Sequence, residues 1–160
     1  MATKRKDAVA LLIQEHEVVR GLLAQLGRAA ARDGRTSDAL RRRLESELSR
    51  HLKLEDEIFF PAFRAAVSRR TDIRRYHEAK AEDHILDLVL PEILEVSVGR
   101  EEFVAKVRVL RRLVEHHLLD EERELFRRAR EVMGADELER LGDEIAFRKR
   151  DLRGESVAGD

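Results

Sequence analysis

The chain has 160 residues, with Lys+Arg 32 against Asp+Glu 33, a length that suggests one domain able to bury a sizeable core. The formal net charge of −1 excludes a broad electrostatic footprint for nucleic acid or an anionic membrane, and Cys 0 excludes disulfides, thiolate metal sites and thiol catalysis. A 42% hydrophobic share beside 41% charged residues is too apolar for a disordered polyelectrolyte, and Gly 8 with Pro 2 is few breakers, so long helices are expected.

The opening MATKRKDAVALLIQEHEVV holds a short apolar run cut by Gln14, Glu15, His16 and Glu17. Neither a signal peptide nor a membrane span is expected there, which makes the cytoplasm the expected compartment. Turn signals at 33–37, 68–72, 97–100 and 133–136 divide the chain into helices over 7–32, 38–67, 72–96 and 101–132. A shorter fifth helix follows over 136–152. Pro61 and Pro91 fall inside the second and third helices and should bend them. Short connections make neighbouring long helices antiparallel, so the fold class is all-α: an up-down-up-down four-helix bundle with an added C-terminal helix. Residues 1–153 are expected as one domain and 154–160 as a flexible tail.

Steps of three and four residues trace the seam that each helix turns to the core. The seams read Leu12, His16, Val19, Leu23, Leu26; Leu44, Leu48, His51, Glu55, Ile58, Ala62; Ile73, His77, Ala81, His84, Leu88; and Phe103, Val107, Leu110, Val114, His117, Glu121. Every seam is apolar at most steps and is interrupted by histidine, in two cases followed four residues later by glutamate. Counting rise from the helix ends places His16, His51, His84 and His117 at one depth, with Glu55 and Glu121 about one turn away. His116 points about 100° off the seam, toward solvent or the back of the cluster. Asp56 and Glu122 stand where they could accept from a ligand histidine.

Two carboxylates facing each other in a dry interior repel, and at least one must stay protonated unless cations are present. Histidine and carboxylate donors without sulfur suit iron or manganese, and also zinc. The residues therefore describe a dinuclear metal site inside a helix bundle. A metal-free bundle with a hydrogen-bonded polar core is the alternative. Residues three before the four histidines are Ile13, Leu48, Ala81 and Val114, so the Glu-x-x-His pairs of ferritin-like bundles are missing. No His-Glu-x-x-His supports a zinc peptidase.

The segments Gln-Glu-His16-Glu-Val-Val, His51-Leu-Lys-Leu-Glu55-Asp-Glu-Ile-Phe-Phe-Pro61, Ala-Glu-Asp-His84 and His117-Leu-Leu-Asp-Glu121-Glu122 resemble the hemerythrin-like, or HHE cation-binding, domain over about 7–132. The tail from Glu137 to Ile145 further resembles short actinobacterial hemerythrin-like proteins. The resemblance implies a non-haem di-iron centre, oxo- or hydroxo-bridged, with His16 and His51 on one iron. His84 and His117 would hold the other, with Glu55 and Glu121 bridging. Oxygen carriers of this family have two histidines four apart on the third helix. Here position 80 is lysine, and the second histidine of that helix is His77, seven before His84. With His77 the set counts five histidines and two carboxylates, as in the carriers; without it, one iron has a further position for water or carboxylate. The resemblance thus implies binding of dioxygen or hydrogen peroxide, with catalase- or peroxidase-like turnover favoured over carriage. A metal-dependent oxygen or iron sensor, or a carrier without catalysis, is the other function it allows. The expected partners are small oxygen species, with no nucleic acid and no membrane.

Overall fold

Helices begin here where a short acidic side chain or a turn can satisfy free N–H groups. In the computed structural model, which describes residues 5–155, Asp7 caps α1 (Ala8–Ala29) by accepting from the Ala10 N–H at 2.8 Å. Asp33 caps α2 (Gly34–Leu54), accepting from the N–H groups of Arg35 and Thr36 at 3.1 Å. The turn expected over 33–37 is therefore a cap followed by the first helical turn. α2 runs without a break through a π-helical turn, Glu55–Phe59, into α3 (Phe60–Ala66). The Phe60 N–H reaches back five residues to the Glu55 carbonyl. This wide turn lies directly before Pro61, which has no N–H to offer a straight α-ladder.

α4 (Arg70–Glu95) contains Pro91 and continues past it. Gly99, at φ +88, turns the chain into α5 (Glu101–Asp120), whose first-turn Glu101 and Glu102 favour the helix N-terminus. A second π-helical turn, Glu121–Phe126, leads on into α6 (Arg127–Val132). After a short link comes α7 (Ala135–Leu152). Gly154, at φ +71, donates to the Asp151 carbonyl and Glu155 donates to that of Arg150, a Schellman closure of α7. Residues 154 and 155 thus belong to the helix end, and the rest of the tail expected over 154–160 lies outside the described residues.

Four rods close a ring: α1 packs on α2, α2 on α4, α4 on α5 and α5 on α1. α7 lies against α1, α2 and the first π turn. This is the expected up-down bundle with an added helix, and no strand occurs among the described residues. No helix of the described residues is long and apolar enough to cross a membrane. The apolar core is split in two. One cluster gathers Leu12, Phe59, Phe60, Phe63, Leu125 and Phe126 beside Leu138, Leu141 and Ile145 of α7. The other gathers Val19, Leu23, Leu48, Leu86, Val114 and Leu118. On every rod the residues between the two clusters are polar and buried: His16, His51 with Glu55, Asp83, and His117 with Glu121.

α7 approaches the start of α1 backbone to backbone at Gly142, where a Cβ would fall 2.5 Å from the Lys6 carbonyl oxygen. Gly142→Ala should therefore cost about 1–3 kcal/mol of stability by overpacking. Urea unfolding checks this, and an unchanged midpoint would contradict the close approach.

Candidate metal centre

The two HxxxE segments place each histidine and its glutamate on one face, because residues four apart on a helix stack above one another. In the structure His51 Nε2 lies 3.2 Å from Glu55 Oε2, and His117 Nε2 lies 3.6 Å from Glu121 Oε1. α1 brings His16 Nε2 to 3.2 Å from His51 Nε2 and 3.3 Å from Glu121 Oε2. α4 brings Asp83 Oδ1 to 2.9 Å from His117 Nε2. The result is two groups of four buried residues, His16–His51–Glu55–Glu121 and Glu55–Asp83–His117–Glu121, with potential donor atoms in each group within 4.8 Å of one another. Glu55 and Glu121 belong to both groups.

Five of the seven expected site residues meet here: His16, His51, Glu55, His117 and Glu121. His77 and His84 do not. Both are exposed on α4, and Asp83 stands where His84 was expected. The buried residues of α4 include Asp72, Ala79, Asp83, Leu86, Leu90 and Ile93; from Ala79 to Leu90 they stand two residues past the seam drawn through His77, Ala81, His84 and Leu88. Along a helix, one residue turns a side chain by about 100°, enough to carry His84 from the core to the surface. His84 instead lines a cleft of about 620 Å³ between α2 and α4, together with Asp83, Asp56, Lys53 and Lys80.

Each buried imidazole is backed by a carboxylate on its other nitrogen. His16 Nδ1 lies 2.8 Å from Glu122 Oε1, His51 Nδ1 3.4 Å from Glu15 Oε2, and His117 Nδ1 2.8 Å from Glu82 Oε2. A carboxylate accepts, so Nδ1 carries the hydrogen and Nε2 is the nitrogen turned to the cluster. Two of these backing residues hold cations in turn: Arg20 on Glu122 at 2.8 Å, and Lys149 of α7 on Glu15 at 2.5 Å. Glu122 has a signal in the sequence, as the neighbour of Glu121. Glu15, Glu82 and Lys149 have none, because their partners lie on other helices.

The electrostatics show what this cluster lacks. Both oxygens of Glu55, of Asp83 and of Glu121 are buried and accept no hydrogen bond of good geometry. Burial, with the charges of Glu121 and Asp83, pushes Glu55 well above the usual carboxylate range. Burial and the Glu121 charge lift Asp83 to about 7, against the pull of His117. Glu121 keeps its charge despite burial because His117, His16 and His51 hold it low. For His117 burial is outweighed by the carboxylates of Glu121, Asp83 and Glu82, which raise it to about 10. His16 is raised likewise by Glu121 and Glu122, while burial lowers His51. His16 therefore holds the proton between the two facing Nε2 atoms.

A divalent cation relieves all of this at once. Donor atoms about 2.0–2.2 Å from a metal ion lie about 2.8–3.6 Å from one another in tetrahedral or octahedral geometry. The separations of 2.9, 3.2, 3.3 and 3.6 Å are of that kind. The residues present fit a pair of cations.

The pattern of a family described as "Hemerythrin HHE cation binding domain" matches residues 7–129. Uncharacterized proteins of Mycobacterium bovis and Mycobacterium tuberculosis are each 30% identical over 149 residues, 92% of this chain and 88% of theirs. The crystal structure of a hemerythrin HHE cation-binding domain-containing protein from Mycobacterium kansasii superposes with a TM-score of 0.80 at 26% identity, covering 95% of this chain and 90% of that one.

The metal-free fold should weaken as pH rises. Glu55, Asp83, His16 and His117 are all raised, so each contributes stability that is present below its unfolded value and lost as pH climbs through its folded value. That window opens at the ordinary Asp83 value of 3.8 and closes with His117 at about 10. His51 works the other way, and the depressed Glu15 and Glu122, at about 2, change only in acid. Urea unfolding of chelator-treated protein at about pH 5, 7 and 9 should give falling stability. Protein loaded with a divalent cation should reverse the trend, because the ion displaces those protons.

Proposed function

The chain belongs to the hemerythrin HHE cation-binding family, and on that premise we propose that it holds two iron ions in the buried cluster and reacts with dioxygen or hydrogen peroxide. The observation that carries this reading is the pair of four-residue groups sharing Glu55 and Glu121. His16 and His51 would hold one ion and Asp83 and His117 the other, with Glu55 and Glu121 available to both. Manganese or zinc would suit the same donors, but only a redox metal serves the chemistry proposed. A pair of irons supplies electron exchange with a small oxygen species. The protein supplies the rest. Glu122, Glu15 and Glu82 fix the three imidazole rings. Phe126 stacks on His16 at 5.3 Å, and Phe59 meets Phe126 edge-on at 5.2 Å, which keeps water from that side.

The cleft between α2 and α4 reaches Asp83 and admits a small neutral molecule. His84 on its wall is placed to exchange a proton with an incoming peroxide. With Asp83 in place of an imidazole, three carboxylates face three histidines. Anionic oxygen donors favour the more highly charged, oxidised ions, whereas reversible carriage needs a persistent reduced pair. Peroxide turnover of the catalase or peroxidase kind is therefore favoured over carriage. One contact favours a second reading, metal-dependent sensing: Lys149 of α7 is tied through Glu15 to His51, so loss of the metal would loosen α7.

Elemental analysis with visible spectroscopy should find about two irons per chain. The loaded protein should evolve oxygen from hydrogen peroxide, and His117→Ala should abolish it. Turnover no faster than free iron would remove the enzymatic reading; a chelator-induced change in helix content without turnover would favour sensing. Asp83→Ala should weaken metal retention by about 100-fold or more, whereas His84→Ala should retain both ions.

A further inference from the structure

A second, outer set of donors repeats the inner one displaced by one residue. Asp83, His117 and Glu121 face the buried centre, and the residues immediately before them, Glu82, His116 and Asp120, face the rim. Their donor atoms lie within 4.8 Å of one another, with His116 Nε2 at 3.2 Å from Asp120 Oδ2. From this arrangement we propose that Glu82, His116 and Asp120 form a peripheral divalent-cation site that loads the buried centre. The proposal rests on the reading of that centre given above.

Three observations support it. The rim site opens on a cleft of about 360 Å³ lined by Glu78, Glu82, Asp120, Glu121 and Glu124, with Arg75 the one basic residue among its lining. Arg75 is itself held by Glu124 at 2.6 Å, so the cleft keeps an excess of negative charge and concentrates cations. Glu121, buried and accepting no hydrogen bond through either oxygen, also lines this cleft, while its oxygens face His16 and His117. Glu82 and Asp120 of the rim set thus share one cleft with a residue of the buried cluster. The larger cleft on the other side of α4 does not serve cations equally, because Lys53 and Lys80 line it.

Glu82 belongs to both sets. One of its oxygens accepts from His117 Nδ1 at 2.8 Å, so the carboxylate that would help capture the ion also orients a ligand of the buried site. Oxygen donors with one imidazole suit first-row divalent cations, and the exposure of His116 suits a weak, exchanging site.

The test loads the chelator-stripped full chain with Co²⁺, followed by visible absorption in a stopped-flow instrument and by equilibrium dialysis. The double variant His116→Ala/Asp120→Asn spares every residue assigned to the buried centre. Wild type should hold a third, weakly bound Co²⁺ per chain that the variant lacks. At limiting Co²⁺ the variant should fill the buried pair about tenfold or more slowly, yet reach the same final occupancy and helix content. Glu102→Gln, which removes a like charge at the opposite end of α5, should load at the wild-type rate. Loading of the double variant at the wild-type rate and stoichiometry would overturn the proposal, as would equal slowing in Glu102→Gln. Failure of wild type to fill a buried pair at all would instead overturn the reading of the centre on which it rests.

Discussion

The structure turns on the confrontation of Glu55 and Glu121 in a dry interior. Two carboxylates brought out of water to one place cost several kcal/mol unless something positive joins them. The metal-free fold manages with protons: Glu55 takes one, and Glu121 stays charged against three imidazoles. That solution leaves the oxygens of both residues, and those of Asp83, without hydrogen bonds. Folding alone would gain from replacing them with apolar side chains, as the Phe and Leu clusters above and below do. Their presence at the level where all four rods meet makes sense for cation binding.

The same level laces the bundle together. Glu122 follows α5 and holds His16 of α1; Glu15 of α1 holds His51 of α2; Glu82 of α4 holds His117 of α5. Each carboxylate fixes a ring on a neighbouring rod, so the register of the helices and the aim of the imidazoles are set by the same contacts. α7 joins through Lys149 on Glu15 and through Arg148 on Glu57. The buried Lys149–Glu15 contact matters more than the exposed one, because Glu15 is desolvated and sits against His51.

Much of this was legible in the chain. Turn signals delimited all five rods to within a few residues, and the two HxxxE pairs identified two thirds of the inner cluster. α4 was misread for a physical reason. Its exposed face carries Ile85 and Leu88, the latter 60% exposed, so its apolar residues do not mark one side. Two histidines seven apart then looked like a seam. The true stripe, Ala79, Asp83, Leu86, Leu90 and Ile93, also steps by four and three, with an aspartate at the step where a histidine was sought. Of the backing carboxylates Glu122 was foreseen beside Glu121, while Glu15 and Glu82 were beyond sequence reasoning, since helical spacing says nothing about pairs between different rods.

The π turns account for the other displacement. The seam drawn for the second rod ran His51, Glu55, Ile58, Ala62, but the residues fully buried beyond Glu55 are Phe59, Phe60 and Phe63, while Ile58 and Ala62 are only partly covered. One extra residue in a turn delays the stripe by one position, which is this shift. The second rod's wide turn begins at Glu55 and that of the fourth at Glu121, so each starts on a glutamate common to both buried groups. Up to the glutamate, α-helical spacing stacks it over its histidine. Past the glutamate, the added residue swings Phe59 and Phe126 inward, against each other and, through Phe126, against His16. Pro61 gives the second rod a local cause for its wide turn, but the fourth has no proline there. What the two share is the task of following a buried glutamate of the cluster with an aromatic floor, and a strict α-helix would have turned those rings aside.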